Sequence, residues 1–217
     1  MAVPVDWLIV GLGNPGSEYE RTRHNVGFAI ARELIARWDL PAPASRYRGL
    51  ITEGRAGAPG LGQRPARVAV LLPQTYMNDA GRSVGPARGE LKTPLDRLLV
   101  LHDEIDLPFG EIRTRLGGGL AGHNGLKSIR QGLGSPDFWR VRVGVGRPPT
   151  TDPDRVAAYV LGRFGEPADD VWALVQAGAD AAERVLAQDG AEGPAAPGPD
   201  SGPDPGAGPD PGPDPGA

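Results

Sequence analysis

The sequence predicts one α/β domain, with a twisted, mostly parallel (mixed) central sheet flanked by helices on both faces. Three observations predict it. Short apolar runs rich in β-branched residues alternate with segments of helical period. None of the runs alternates cleanly between apolar and polar, as expected of strands covered on both sides. The chain has 217 residues, enough for one good-sized domain with an appendage. The appendage is set apart by composition: from Gly190 to Ala217 the chain is almost all Gly, Pro, Ala and Asp. Such a segment has little apolar surface to offset its ordering entropy, so residues 1–189 are expected to form the domain and 190–217 a disordered acidic tail.

The elements follow in order. Trp7 to Val10 is an apolar run, long enough for a strand buried on both faces. Asn25 to Trp38 reads as a helix, with Val26, Ile30, Leu34 and Trp38 on one stripe and Pro41 and Pro43 beyond its end. Tyr47 to Glu53 reads as a strand, and Gly54 to Arg67 as a Gly/Pro-rich turn region. Val68 to Leu72 is a buried strand stopped by Pro73, and Asp79 to Gly89 a short helix for which Asn78 or Asp79 suits the N-cap. Leu98 to Leu101 is a strand running into His102-Asp103-Glu104. Glu111 to Arg115 reads as a strand ahead of three glycines. Gly122 to Leu133 contains a helix start after His123-Asn124-Gly125, and Val141 to Val145 is a further strand. Val171 to Leu186 is the clearest helix, with one apolar, small-residue face.

Composition excludes several chemistries. With no cysteine there is no disulfide framework, thiolate nucleophile or Cys-based zinc site. The N-terminus carries no basic segment followed by a long apolar one, and no apolar run reaches the ~20 residues needed to cross a bilayer, so a cytoplasmic protein is expected. The net charge of −4 is misleading: five of the 27 acidic side chains lie in the tail, which leaves 22 against 23 basic ones in the body. A polyanion would therefore be gripped by local arginine clusters and not by overall charge. Arg113 and Arg115 share one face of a strand, and so do Arg140 and Arg142, so neighbouring strands would make one guanidinium patch.

The stretch Trp7 to Phe28 concentrates the chemistry. Gly11, Gly13 and Gly16 match the dinucleotide-binding spacing, but Pro15 removes an N–H and the helical period starts only near Val26. The segment also lacks a second strand ending in an acid, which weighs against nicotinamide binding. Four polar clusters fall at element ends: Asn14/Tyr19/His24, Gln74/Tyr76/Asn78, His102/Asp103/Glu104/Asp106 and His123/Asn124. Each alone has a plain structural reading, such as an Asx-turn at Asn14 or a half-buried histidine at His24. Together they suit a general base. His24 with Asp103 can form an imidazole–carboxylate pair that fixes one tautomer, and asparagines can hold a carbonyl or an oxyanion. No serine, threonine or cysteine beside a base indicates a covalent nucleophile, so an activated water fits better. The three histidines are scattered in sequence without metal-ligand spacing, so no metal is expected.

The segments GLGNPGSEYERTRHNVGF, LLPQTYMNDAGRSV, LHDEIDLPFG, GGGLAGHNGLKSI, FWRVRVGVGRP and YVLGRF, in that order, resemble bacterial peptidyl-tRNA hydrolases from about Val5 to Gln188. The resemblance implies that family's fold and its reaction, hydrolysis of the ester joining a peptide to the 3′ ribose of tRNA. It implies His24 as general base, Asp103 as its orienting carboxylate and Asn14 beside the ester. Tyr19, Tyr76, Asn78 and Asn124 match contacts to the tRNA 3′ end or the peptide, and Met77 and His123 match lining positions. Arg115 and Arg142 match basic residues near the tRNA 5′ phosphate. The family needs no cofactor or metal, has no membrane or obligate protein partner and usually acts as a monomer. Three features depart from the family's pattern: Leu120-Ala121 where many members have His-Gly or a similar small polar pair, Tyr76 where Phe is common, and the acidic Pro/Gly tail. A non-catalytic RNA-binding protein on the same fold is the other class, and the intact His24, Asp103, Asn14 and Asn78 weigh against it.

Overall fold

The computed structural model describes residues 4–57 and 65–188, so the tail expected at 190–217 lies outside the described residues. The strands are β1 (Trp7–Gly11), β2 (Ala44–Arg46), β3 (Gly49–Ala56), β4 (Ala66–Pro73), β5 (Leu98–Glu104), β6 (Ile112–Leu116) and β7 (Trp139–Gly144). They form one sheet in the order β2-β3-β4-β1-β5-β7-β6. The middle four, β4-β1-β5-β7, are mutually parallel, while β2, β3 and β6 join antiparallel at the two edges. The helices are α1 (Val26–Arg37), α2 (Gly81–Leu91), α3 (Asn124–Leu133), α4 (Pro153–Val160) and α5 (Ala168–Ala187).

The strand period of two sorts side chains onto two cores. Trp7 and Ile9 of β1 join Leu99 and Leu101 of β5 under α1 and α5. Leu8 and Val10 join Leu98 and Val100 under α2 and α3. All five residues of β1 are buried, which is why this strand reads as a continuous apolar run. β1 has parallel neighbours on both sides, so its carboxyl end opens at the middle of the sheet, where ligands sit in such folds.

Two glycines set how α1 meets that end. A Cβ at Gly27 would lie 2.3 Å from the Leu101 carbonyl oxygen, and one at Gly11 would lie 2.5 Å from the Gly27 carbonyl oxygen. The first turn of α1 therefore rests directly on the backbone where β1 and β5 end. Leu12 N–H donates to the Leu101 carbonyl at 3.0 Å, and Phe28 N–H donates to the Leu12 carbonyl at 3.1 Å. This packing brings residues just ahead of α1 over residues just beyond Leu101.

Three local expectations need correction. Tyr47 is not in a strand: with Arg48 it forms the turn of the β2–β3 hairpin, both at positive φ, 55° and 53°. The stretch Gly54 to Arg67 is not all turn, because β3 runs on to Ala56 and β4 begins at Ala66. Asn78 and Asp79 do not cap α2. They lie in a 3-10 turn, Met77–Asp79, and the N-cap position falls to Ala80 with no side-chain cap bond. One helix had no expectation at all: α4, begun by Asp152 at its N-cap and Pro153 in its first turn.

Candidate active site

A cleft of about 620 Å³ opens over the carboxyl ends of β1, β4 and β5. Asn14, Tyr19, His24, Tyr76, Met77, Asn78, Asp103, His123 and Asn124 all line it. One wall is apolar, formed by Ile105 and by Val156, Ala157, Val160 and Leu161 of α4 and its end.

Asn14 is held on both sides. Its backbone N–H donates to Asn25 Oδ1 at 2.8 Å, and Asn25 Nδ2 donates back to the Asn14 carbonyl at 2.9 Å. The side-chain Oδ1 of Asn14 accepts the Met77 N–H at 2.8 Å. Because Met77 N–H is a fixed donor, it must face the oxygen of the amide. The Nδ2 group is left as the donor toward the cleft.

Asp103, at the end of β5, is 2% exposed and accepts two imidazole N–H groups. His24, in the 3-10 turn Arg23–Asn25, approaches both carboxylate oxygens with Nδ1 at 2.9 Å. His123 reaches Oδ1 with Nε2 at 3.0 Å. The tautomer of His123 follows from its other nitrogen. As the N-cap of α3, Nδ1 accepts from Gly125 N–H at 3.1 Å and Leu126 N–H at 3.4 Å, so Nε2 carries the proton. An ionised Asp103 can only accept, so His24 donates from Nδ1 and Nε2 becomes its unprotonated nitrogen.

The electrostatics agree with this bonding. Burial alone would raise the Asp103 pKa, but the charges and hydrogen bonds of His24 and His123 hold it well below the ordinary carboxylate value. Burial lowers the His24 pKa, yet the Asp103 charge and hydrogen bond outweigh it, and the net shift is upward. His102 is shifted the other way. It is fully buried, its Nδ1 donates to the Asp103 carbonyl at 2.7 Å, and its ring meets the His123 ring edge-on at 5.0 Å. Burial first, then His123, push its pKa well down, so it is a neutral support behind the cluster.

The structure revises the ground for expecting no metal. His24, Asp103 and His123 are far apart in sequence, yet their ligand atoms all lie within 4.8 Å of one another. The distances among them are those of hydrogen bonds, and with the cap bonds to His123 Nδ1 they account for the cluster with protons between its members.

Arg115 and Arg142 lie outside the cleft lining, at the β6–β7 edge. The strands are neighbours, as the patch required: Arg113 is opposite Arg142, and Arg115 opposite Arg140. The four are not equivalent. Arg140 is 1% exposed and donates to the carbonyls of Gly119, at 2.6 Å, and Gly117, so it pins the glycine loop that leads to His123. Arg142 gives its Nε to the buried Glu104 at 3.1 Å. Arg113 bonds Glu111 at 2.5 Å, and Arg115 is exposed against Gly118. The patch is thus carried by Arg115 and the outer part of Arg142. In the loop, Ala121 sits at φ 46°, a left-handed conformation that favours glycine.

Sequence reasoning missed the lock at Asn25, the apolar wall of α4, and the support from His102 and Arg140. For α4 a signal existed, the Asp152-Pro153 pair that starts a helix. For Asn25 and Arg140 none did, because each acts on a backbone group remote in sequence.

The family model described as Peptidyl-tRNA hydrolase matches residues 8–195. The chain is 46% identical over 178 residues to a Bacillus pumilus peptidyl-tRNA hydrolase, covering 82% of this chain and 90% of the relative. It is 45% identical over 189 residues to that of Mycobacterium avium, covering 86% and 93%. Its fold matches the crystal structure of peptidyl-tRNA hydrolase from Acinetobacter baumannii with a TM-score of 0.68 and 33% identity, covering 90% of this chain and 100% of that one.

Proposed function

We propose that this chain, which belongs to the peptidyl-tRNA hydrolase family and hydrolyses the ester of peptidyl-tRNA, does so with a water activated at His24 Nε2. The observation that carries the mechanism is the double acceptance at Asp103, which leaves that nitrogen as the only unprotonated one His24 can offer. Nε2 takes a proton from water as the water oxygen attacks the ester carbonyl. Asn14 Nδ2 donates to the carbonyl oxygen as it becomes an oxyanion, its orientation fixed beforehand by Met77 N–H. The intermediate collapses by breaking the bond between the acyl carbon and the ribose oxygen. The imidazolium returns its proton to that oxygen, giving free tRNA and the peptide acid. Asp103 stays ionised and stabilises the imidazolium in between.

The cleft suits the two halves of such a substrate. Its floor is polar, with Asn78 and Asn124 at the rim for the 3′ nucleotide, and exposed Tyr76 offers a ring for stacking. Tyr19 and Met77 line the space beside the ester, and the α4 wall faces the peptide. Arg115 and Arg142, on the sheet edge, are the groups for the 5′ phosphate region.

The deciding assay is turnover of an N-acetylated aminoacyl-tRNA. The wild type should release the acyl group, and His24→Ala should lose ~10²–10⁴-fold in kcat while still binding tRNA. Near wild-type turnover in that variant would overturn the role of His24. Binding without turnover by the wild type would favour a non-catalytic RNA-binding protein.

A further inference from the structure

Arg23 stands one residue before the base, and its side chain turns away from the chemistry. It is 8% exposed, and its side chain is engaged by the segment 159–166. The guanidinium lies 4.2 Å from the ring centre of Tyr159 and 5.5 Å from that of Phe164. Nη1 donates to the Arg163 carbonyl at 2.6 Å, and Nη2 donates to Glu166 at 3.4 Å. The Arg23 backbone N–H donates to the Gly162 carbonyl at 3.1 Å, and Thr22 bridges Arg163 beside it. A buried cation with one long ion pair and two aromatic faces is an arrangement suited to arginine and not to lysine, because the flat guanidinium stacks and its fork reaches two acceptors at once.

Of these partners Tyr159 belongs to α4, and Gly162 to Glu166 belong to the segment that follows it. α4 has no buried residue, and among the described elements it packs chiefly on the turn Arg23–Asn25. A further tie is the Tyr159 hydroxyl, which donates to the Val145 carbonyl at 2.7 Å. Yet Val156, Ala157, Val160 and Leu161 form the apolar wall of the cleft. A short helix without a core of its own keeps its place only through such tethers.

We propose that Arg23 is a positioning residue that ties the α4 wall to the turn bearing His24, and so sets how firmly acyl groups longer than one residue are held. The proposal rests on the hydrolytic reading of the cleft. The wall and the base are fastened through adjacent residues, so the width of the peptide side is fixed relative to the reacting ester. A minimal N-acetyl-aminoacyl group has little to lay on the wall. A peptide of several apolar residues uses its whole length.

The test compares Arg23→Met, Arg23→Lys and Tyr159→Leu with wild type on N-acetyl-aminoacyl-tRNA and on a tRNA bearing an apolar peptide of several residues. Hydrogen exchange over 153–161 is measured on the same proteins. Removing a desolvated cation–π pair should cut exchange protection of α4 by roughly tenfold or more while leaving the sheet unchanged. KM for the long acyl group should rise by a similar factor, about tenfold, with kcat nearly kept, and the short substrate should be little affected. Arg23→Lys should recover only part of the loss, because it keeps the charge without the fork. Tyr159→Leu removes the ring under Arg23 together with the hydroxyl bond to Val145, and Tyr159→Phe, which removes only that bond, is its control, so the pair carries the test if Arg23→Met fails to fold. Equal kcat losses on both substrates with α4 exchange unchanged would overturn the proposal and assign Arg23 to the support of His24. If the wild type turned over neither substrate, the hydrolytic reading would fall, and unchanged α4 exchange in the variants would separately sink the tether.

Discussion

Replacing Asp103 by Asn should separate two quantities that a catalytic carboxylate normally couples. The substitution removes one charge and turns one of two acceptor atoms into a donor, in a place where two imidazole N–H groups converge within 3.0 Å. His123 is fixed as an Nε2–H donor by its cap bonds to α3, so it claims the remaining oxygen. The new NH2 group then faces His24 Nδ1, which must accept, and the proton moves to Nε2. The base is lost through tautomer reversal, at a cost of ~10²–10³-fold in the plateau of kcat/KM. The acid limb should move as well. Asp103 is the group that raises His24 above its ordinary value of 6.5, against burial. Burial lowers the imidazole and the Asp103 charge and hydrogen bond raise it past its ordinary value, so the wild-type limb should lie above 6.5 and the variant's, left with burial, below it. Stability gives an independent reading. The raised His24 pKa adds stability that is full below 6.5 and is lost as pH rises through the folded value. The depressed Asp103 pKa adds stability above 3.8 that is lost as pH falls through its folded value. The variant's deficit in melting temperature should therefore be greatest between 3.8 and 6.5 and shrink toward alkaline pH. The assay is kcat/KM on N-acetyl-aminoacyl-tRNA from about pH 5 to about pH 9. A fallen plateau with an unmoved acid limb would refute the claim that Asp103 holds the imidazolium.

Four further outcomes are expected. Arg115→Ala should raise KM for full-length tRNA substrates and reduce the slope of log KM against log salt by ~0.7–0.9 for each phosphate no longer neutralised, with a minimal 3′-end ester unaffected. Arg142→Ala should add a stability loss of ~1–3 kcal/mol, visible in denaturant melts, because it strands the buried Glu104 carboxylate. His123→Ala should lose the α3 cap, ~1 kcal/mol, as well as a donor to Asp103, whereas His123→Asn should keep most of the melting temperature but not the activity. Gly27→Ala should cost ~3 kcal/mol or more in unfolding free energy, since its Cβ would fall 2.3 Å from the Leu101 carbonyl oxygen, and any relaxation that lifts α1 should open the His24–Asp103 bond.

Much of the fold was legible because its central strands obey a simple rule. β1, β4 and β5 are covered on both sides, and so they read as unbroken apolar runs. The edges were less legible. β6 is largely exposed, and the hairpin turn at Tyr47-Arg48 uses positive φ without the Asn or Gly that would announce it. α4 escaped because only its flank toward the cleft is apolar, and no residue of it is buried. Eight of the nine cleft residues named above were legible as types at element ends, since strand ends and helix starts are where parallel sheets expose side chains, and Met77 came only from the family resemblance. The partners that fix them were not. Asn25, His102 and Arg140 work by bonding backbone carbonyls or amides, and a backbone group has no residue identity for a sequence to display.

The chain contains three histidines, and all three meet at Asp103: His24 and His123 on its carboxylate, His102 on its carbonyl. Selective isotope labelling of histidine would thus light up one cluster in an otherwise silent protein. One ring is bonded to the carboxylate with its second nitrogen facing the cleft, one caps a helix, and one is buried and neutral. The nitrogen shifts of the first and the third should part as acid is added, because His24 is raised by Asp103 and His102 is lowered by burial. Only the first ring turns an unprotonated nitrogen to the cleft, so a ligand entering there should move its signal before the other two.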